Sequence, residues 1–136
     1  MGHVDINYIA VLVSALAAFI IGGIWYGPLF GKAWMAAVGK TEEEIKKNFN
    51  PAKTYGLSFL GHIVVAYVLA RLCGYVDADT IGEGLRLAFL LWLGFTAATF
   101  FINELFEAKS FKLLIINIGF YLVFVLVASV ILVSWR

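Results

Sequence analysis

The sequence has little charge. Acidic and basic residues make up 14% of its 136 residues, whereas a soluble domain usually carries about a quarter. The formal net charge of +1 gives no long-range field that would attract a polyanion, and the sequence has no basic stripe with interleaved aromatic residues. Nucleic acid is therefore excluded as a partner, and a hydrophobic content of 62% exceeds what a small soluble fold could bury.

Cysteine and histidine are also scarce. The single cysteine, Cys73, can form no internal disulfide, and without a His/Cys cluster it can organise no zinc site. His62 is the only histidine inside an apolar run, and no nucleophile beside a base or H-E-x-x-H spacing is present. We therefore predict no metal, no cofactor, no catalytic residues and no enzymatic activity.

Long apolar runs are what the sequence has in abundance. Four runs without charge, at residues 6–31, 54–70, 87–103 and 113–135, are each near or above the ~20 residues with which a helix crosses a bilayer core. A strand interpretation fails because the runs are too long and lack period-two alternation. We predict an all-α, polytopic membrane protein with one domain, residues 1–136, forming a bundle of four transmembrane helices at about residues 7–27, 52–74, 81–106 and 110–135.

Local signals place the ends of these helices. Gly27-Pro28 is predicted to end the first one, because proline lacks the donor that continues a helix. In the polar connection that follows, Thr41 and Glu44 form a capping box for a short amphipathic linker helix with Ile45 and Phe49 on one face.

Comparable signals begin the later helices. Asn50 before Pro51 supplies a cap and a first-turn proline, and Thr80 with Glu83 repeats the capping box. Ala108-Lys109-Ser110 is predicted to turn the chain into the last helix.

Lysine and arginine indicate the orientation. The first-to-second and third-to-fourth connections hold seven lysines, against three arginines on the opposite side. By the positive-inside rule, the lysine-rich linker is cytoplasmic and both termini are outside in a plasma or inner cell membrane. The lysines are Lys32, Lys40, Lys46, Lys47, Lys53, Lys109 and Lys112, and the arginines are Arg71, Arg86 and Arg136.

Two segments resemble a known family. They are GGIWYGPLFGKAWM at residues 22–35, and NELFE at residues 103–107, which is followed by Ser110 and NIGFY at residues 117–121. Both are similar to the signature of small bacterial and fungal membrane proteins grouped as domain of unknown function 1761. The resemblance extends over essentially the whole chain and implies four transmembrane helices in one domain. It implies no activity and no catalytic residues.

The first of these segments has two interpretations. Aromatic rings at a membrane interface, ended by Gly-Pro, explain most of it as an anchor. Alternatively, Gly27, Gly31 and Lys32 present amides and an ammonium to an anionic headgroup or a small anion. We favour the anchor, because aromatic belts are general and anion sites are rare. The interface residues are Trp25, Tyr26, Gly27, Pro28, Lys32 and Trp34.

Small residues recur every four positions in the first predicted helix, at Ser14, Ala18 and Gly22. This small-xxx-small spacing allows two helix backbones to approach closely. The spacing leaves open whether the partner helix belongs to the same chain or to another copy.

Polar residues within the apolar runs form a candidate layer. At 1.5 Å rise per residue, His62, Thr99 and Asn117 each lie roughly 8 to 14 Å from the nearest cytoplasmic-side charge on their own helix. We expect this layer to face the bundle interior or a partner chain. It consists of Ser58, His62, Thr96, Thr99, Asn103, Asn117 and Tyr121, with Glu104 and Glu107 at its cytoplasmic mouth.

Two uses of the layer remain open. A hydrogen-bond network that joins the helices is favoured over a hydrated pocket in which His62 titrates or contacts a ligand, since such interhelical contacts are common. The expected function is therefore that of a non-enzymatic structural or accessory protein, surrounded by membrane lipids and assembled as a homo-oligomer or within a larger membrane complex. The alternative is an oligomeric channel or carrier that uses the His62 layer.

The orientation can be tested with a cysteine at position 46. In Lys46→Cys, we expect a membrane-impermeant thiol reagent to label the linker only after the cells are opened, because this side chain should face the cytoplasm. Labelling from outside intact cells would reverse the topology.

Overall fold

A computed structural model describes residues 2–47, 49–107 and 110–136. All regular secondary structure in this part of the chain is helical, which confirms the all-α prediction. Lys109 and the Ala108-Lys109 part of the predicted turn lie outside the described residues. Four helices are long and apolar enough to cross a membrane, and they are, as the first to the fourth span, Tyr8–Leu29, Pro51–Tyr75, Ile81–Glu107 and Phe111–Ser134.

The predicted caps begin the second and third spans. The Asn50 side chain accepts a hydrogen bond from the Lys53 backbone N–H at 3.2 Å, with Pro51 as the first helical residue. The Thr80 hydroxyl accepts from the Glu83 N–H at 3.2 Å and donates to the Glu83 carboxylate at 2.8 Å. These bonds satisfy backbone donors that a helix start leaves without an intrahelical partner.

Pro28 lies inside the first span, which ends one residue later, at Leu29. The α-helix Tyr8–Ile24 continues as a π-helical segment, Trp25–Leu29, with Pro28 inside it. In a regular α-helix the proline ring would clash with the carbonyl four residues earlier. The wider π turn accommodates the ring, and the ladder closes with the Phe30 N–H donating to the Trp25 carbonyl at 2.9 Å.

A helix that the sequence did not predict follows at once, at Gly31–Val38. Gly31 begins it because a Cβ there would lie 2.6 Å from the Tyr26 carbonyl oxygen, so a larger residue could not approach so closely. The helix ends at Gly39, whose φ of +78° is the left-handed conformation typical of a glycine after a helix end.

The predicted linker helix is present but short, at Glu42–Lys47. The Thr41 hydroxyl accepts from the Glu44 N–H at 3.2 Å, as a capping box requires. Phe49 lies beyond the end of this helix, so only Ile45 remains of its predicted apolar face. A hydrogen bond from Lys46 to Glu42 at 2.8 Å lowers the pKa of the Glu42 carboxyl and raises that of the Lys46 ammonium, but both groups are exposed and contribute little to stability.

The fourth span is the centre of the bundle. It packs against the first span and the second on one side, and against the first half of the third span on the other. Its inner face carries Phe120, Phe124, Ala128 and Leu132, spaced four residues apart and all buried. The third span is the most peripheral, since only 6% of its most apolar stretch is buried.

The small residues of the first span pack inside this chain. Ser14 and Ala18 are fully buried, and a Cβ on Gly22 would lie 3.4 Å from the Phe120 ring. The helices that these small residues pack against are therefore other spans of the same chain, and not a second copy. The Ser14 hydroxyl oxygen is enclosed without a hydrogen-bond partner among the described residues.

Polar contacts join the spans at the end of the bundle opposite the lysine-rich linker. Asn7 caps the first span and also donates from its side-chain amide to the Trp135 carbonyl at 2.9 Å. The Arg136 guanidinium pairs with Asp79 at 2.8 Å and donates to the Ala78 carbonyl at 2.6 Å. These bonds connect the end of the fourth span to the start of the first and to the second-to-third loop.

Two glycines two residues apart provide a test of the third-to-fourth contact. A Cβ on Gly84 would lie 2.7 Å from Val133 Cγ2 and 3.4 Å from the Ser129 carbonyl oxygen, whereas one on Gly82 would meet nothing within 4 Å. We expect Gly84→Ala to lower the free energy of unfolding in detergent micelles by about 1 to 3 kcal/mol through overpacking. Gly82→Ala is the matched control and should be neutral or slightly stabilising. Equal effects of the two variants would contradict close packing at Gly84.

Candidate functional site: a cleft between three spans

A cleft of about 540 Å³ lies between the first, second and fourth spans. This volume is within the range of roughly 300 to 1,000 Å³ that is typical of small-molecule sites. Tyr55, Ser58 and His62 line it from the second span, and Phe120 and Tyr121 line it from the fourth.

Small residues of the first span make room for the cleft. Glycine and alanine side chains occupy little volume, so the backbone itself forms one wall. Cβ atoms on Gly23 or Gly27 would meet no atom within 4 Å, so the space in front of these two glycines is empty. The first-span lining is Ala18, Phe19, Gly22, Gly23, Tyr26 and Gly27.

His62 is held in the cleft by aromatic rings. Its imidazole makes edge contacts with Phe19, Phe120 and Phe124 at centroid distances of 6.4, 5.9 and 5.2 Å. Neither of its two ring nitrogens hydrogen-bonds to another residue of the described chain. The rings thus fix the imidazole in place while leaving its polar atoms available to a molecule in the cleft.

Three hydroxyls share the cleft with His62. Those of Tyr55, Ser58 and Tyr121 line it and, like the imidazole, make no hydrogen bond to the rest of the described chain. The fourth hydroxyl is engaged, because Tyr26 donates to the Asn117 side-chain oxygen at 2.9 Å. The cleft therefore combines a mostly aromatic and small-residue wall with several unpaired polar groups.

The polar layer predicted from the sequence is divided between two sides of the bundle. Ser58, His62 and Tyr121 come together in the cleft, and Asn117 lies next to it through Tyr26. Thr96 instead lines an apolar groove between the second and third spans.

Thr99 and Asn103 are exposed on the outer face of the third span. The reason is the π-helical segment Trp92–Ala97, which divides the span into Ile81–Leu91 and Ala98–Glu107. A regular α-helix has 3.6 residues per turn, so a face repeating every four residues drifts away from its partner. The wider π turn corrects this drift and preserves the four-residue repeat.

The inner face of the third span follows that repeat through the whole helix. Gly84 and Ala88 are buried, and the partly buried positions that follow are Trp92, Thr96, Phe100 and Glu104. Thr99 and Asn103 fall between these positions along the chain and are exposed. The expectation that they share one face with Thr96 assumed an unbroken α-helix.

The two predicted mouth residues differ in burial. Glu107 is exposed at the end of the third span. Glu104 is half-buried, and its Oε2 atom is enclosed without a hydrogen-bond partner among the described residues. Neither residue lines the cleft.

The interface motif packs on the fourth span. The Trp25 indole N–H donates to the Ile116 carbonyl at 2.8 Å, and a Cβ on Gly119 would lie 2.9 Å from the Trp25 ring. Like the Tyr26 hydroxyl, this indole is therefore occupied within the protein. These two side chains thus take part in helix packing, and their role at the membrane interface stays a prediction.

The remaining motif residues divide between surface and interior. Gly27, Pro28 and Lys32 are exposed, and Trp34 is half-buried with its ring edge against Tyr26 at 6.2 Å. Gly31 is buried, so its backbone is not presented to an anion as the alternative interpretation required.

A second tryptophan repeats the contact of Trp25. Trp92, the first residue of the π-helical segment in the third span, donates its indole N–H to the Ile118 carbonyl at 2.7 Å. Trp25 is likewise the first residue of its π-helical segment. Each irregular segment is thus fixed to the backbone of the fourth span by an indole at its start.

Sequence reasoning missed Tyr55 and the aromatic walls of the cleft, and it predicted Tyr26 only as an interface residue. A signal for Tyr55 was present, because Tyr55, Ser58 and His62 are spaced i, i+3, i+7 and so share one helix face. The pairing of that face with Gly22 and Gly23 depends on the packing of distant spans and has no local signal.

The described part of the chain has no candidate metal site. Within the described residues, no three His, Cys, Asp or Glu side chains lie together where they could hold an ion.

Comparison with known proteins gives one match. The family described as "Protein of unknown function (DUF1761)" matches residues 9–133 of the chain. No curated protein and no solved structure matches it.

The tryptophan contacts can be tested by single substitutions. Trp25→Phe and Trp92→Phe each remove one indole donor, so we expect each to lower the free energy of unfolding in mixed micelles by about 0.5 to 1.5 kcal/mol. Trp34→Phe is the matched control, because the Trp34 indole makes no hydrogen bond to the described chain. A loss from Trp34→Phe as large as those from the other two would show that the hydrogen bonds are not the cause.

Proposed function

The chain belongs to the DUF1761 family, whose function is unknown, and we propose that it is a non-enzymatic accessory membrane protein that works as a homo-oligomer joined through its third span. The observation that carries this proposal is the exposure of two polar side chains, Thr99 and Asn103, on the outer face of that span. Polar groups that face lipid lack partners, whereas a second helix can hydrogen-bond to them.

The rest of the outer face supports the contact. Gly94 and Ala98 are both exposed and lie four residues apart, which is the small-residue spacing that allows a close approach of two helices. Phe95 and Phe106 are 78% and 88% exposed. Small, polar and large apolar side chains are thus all exposed on this part of the third span.

A second copy of the chain is the partner that this chemistry favours. An asparagine side chain has both donors and an acceptor, so two Asn103 amides can pair with each other across a two-fold axis. In such an interface each patch meets its own copy, so no other protein is needed.

A second candidate function, that of a carrier for a small solute, is supported by the cleft. His62 and the three hydroxyls there make no hydrogen bond within the described chain, so a polar solute would find several partners.

The oligomer proposal is tested by measuring the dimer dissociation constant of the full chain in mild detergent. We expect Asn103→Leu to weaken association about three- to tenfold or more, since interhelical hydrogen bonds in membranes contribute about 0.6 to 1.7 kcal/mol. Ala98→Leu should also weaken it, because a large side chain there prevents the close approach of two helices. Gly61→Leu is the matched control, because Gly61 is exposed on the second span and a Cβ there meets nothing within 4 Å. A monodisperse monomer of the unaltered chain, or equal association of all variants, would contradict the proposal.

A further inference from the structure

We propose that the cleft between the first, second and fourth spans binds a quinone-type molecule: a neutral, planar ring with carbonyl oxygens and an apolar tail. This inference goes beyond the oligomer proposed above and is independent of it, because the cleft lies within one chain and the third span does not line it.

The charge of the lining selects a neutral ligand. No Asp, Glu, Lys or Arg side chain lines the cleft. A bound ion would therefore lose its hydration without gaining an opposite charge, which is costly in a membrane. An anionic lipid headgroup is disfavoured for the same reason.

The polar groups match carbonyl oxygens. The hydroxyls of Ser58 and Tyr121 and the imidazole of His62 can all donate hydrogen bonds, and none of them does so within the described chain. A quinone carbonyl accepts but cannot donate. Donors that lack acceptors are therefore what such a ligand needs.

The walls match a flat ring. On one side the backbone at Gly23 is open, since a Cβ there would meet nothing within 4 Å, and on the other sides lie the rings of Phe19, Tyr26 and Phe120, the last of which covers Gly22. Aromatic rings favour offset-stacked and edge-to-face contacts with another planar ring. A volume of about 540 Å³ is sufficient for a single ring with the start of its tail.

The position of the opening explains the tail. Gly23, Tyr55 and Ser58 line the cleft and are exposed. They belong to two helices that are long and apolar enough to span a membrane, so a cleft open on their side would face lipid. A ligand that enters from the bilayer leaves its apolar tail there while its ring is bound.

The test measures equilibrium binding of radiolabelled decylubiquinone to the full chain in dodecyl maltoside, with binding to empty micelles subtracted. We expect saturable binding of one molecule per chain. Gly23→Leu fills the empty space in front of Gly23 and should weaken binding at least tenfold. Gly61→Leu, outside the cleft, adds the same side chain and should leave binding unchanged. Absence of saturable binding, or equal binding by the two variants, would overturn the proposal.

Variants that change no volume keep the test valid if Gly23→Leu does not fold. Tyr121→Phe and Ser58→Ala each remove one donor and should weaken binding about three- to tenfold, the effect of one lost hydrogen bond. Tyr8→Phe is their control, because Tyr8 stacks on Tyr67 at 6.3 Å and does not line the cleft. An unchanged dissociation constant in both cleft variants would overturn the proposal.

Competition with decylubiquinone distinguishes binding of the quinone ring from binding of any amphiphilic molecule. We expect menadione, a quinone without a long tail, to displace decylubiquinone, and decanol and phosphatidylglycerol at the same concentration to displace less than a tenth as much. Equal displacement by decanol would show a general apolar groove, and equal displacement by phosphatidylglycerol would show a lipid site. Either result would overturn the proposal for a quinone.

Discussion

The bundle depends on hydrogen bonds from two indole groups to the backbone of its central helix. In lipid, a helix must satisfy its backbone groups internally, so the fourth span presents few free polar atoms to its neighbours. A carbonyl oxygen nevertheless has two lone pairs and can accept a second bond. Trp25 and Trp92 use this capacity at Ile116 and Ile118, from two different spans. The flanking spans are thus positioned along the fourth span where their own helices are irregular.

Much of the fold could be predicted from the sequence because its signals are local. Apolar length predicts the four spans, and the caps at Asn50 and Thr80 follow from side chains that bond to backbone groups three residues away. Pro28 predicts a helix end locally, but a helix can accommodate it where a π turn is fixed, as here through Trp25, to another span. The helix Gly31–Val38 was not predicted, because it lies in the connection between the first and second spans, which was interpreted mainly through its lysines.

The candidate site was only partly predictable, for a geometric reason. His62, Ser58 and Tyr121 line the cleft, as expected. They could be identified from the sequence because each is a polar residue that interrupts an apolar run. The side on which each polar residue falls depends on helix rotation. Counting at 3.6 residues per turn does not reveal the π-helical segment of the third span. Thr99 and Asn103 were therefore predicted to lie in the polar layer, whereas they are exposed.

This segment also divides the third span into two pieces with separate rotational settings. Gly84 fixes the first piece against the fourth span, since a Cβ there would collide with Val133. One residue more or less within Trp92–Ala97 would turn Ala98–Glu107 by about 100° and leave the first piece in place. Such a length change would present a different set of side chains to the surroundings and turn Phe100 away from Tyr121, while the first piece would keep its contact with the fourth span.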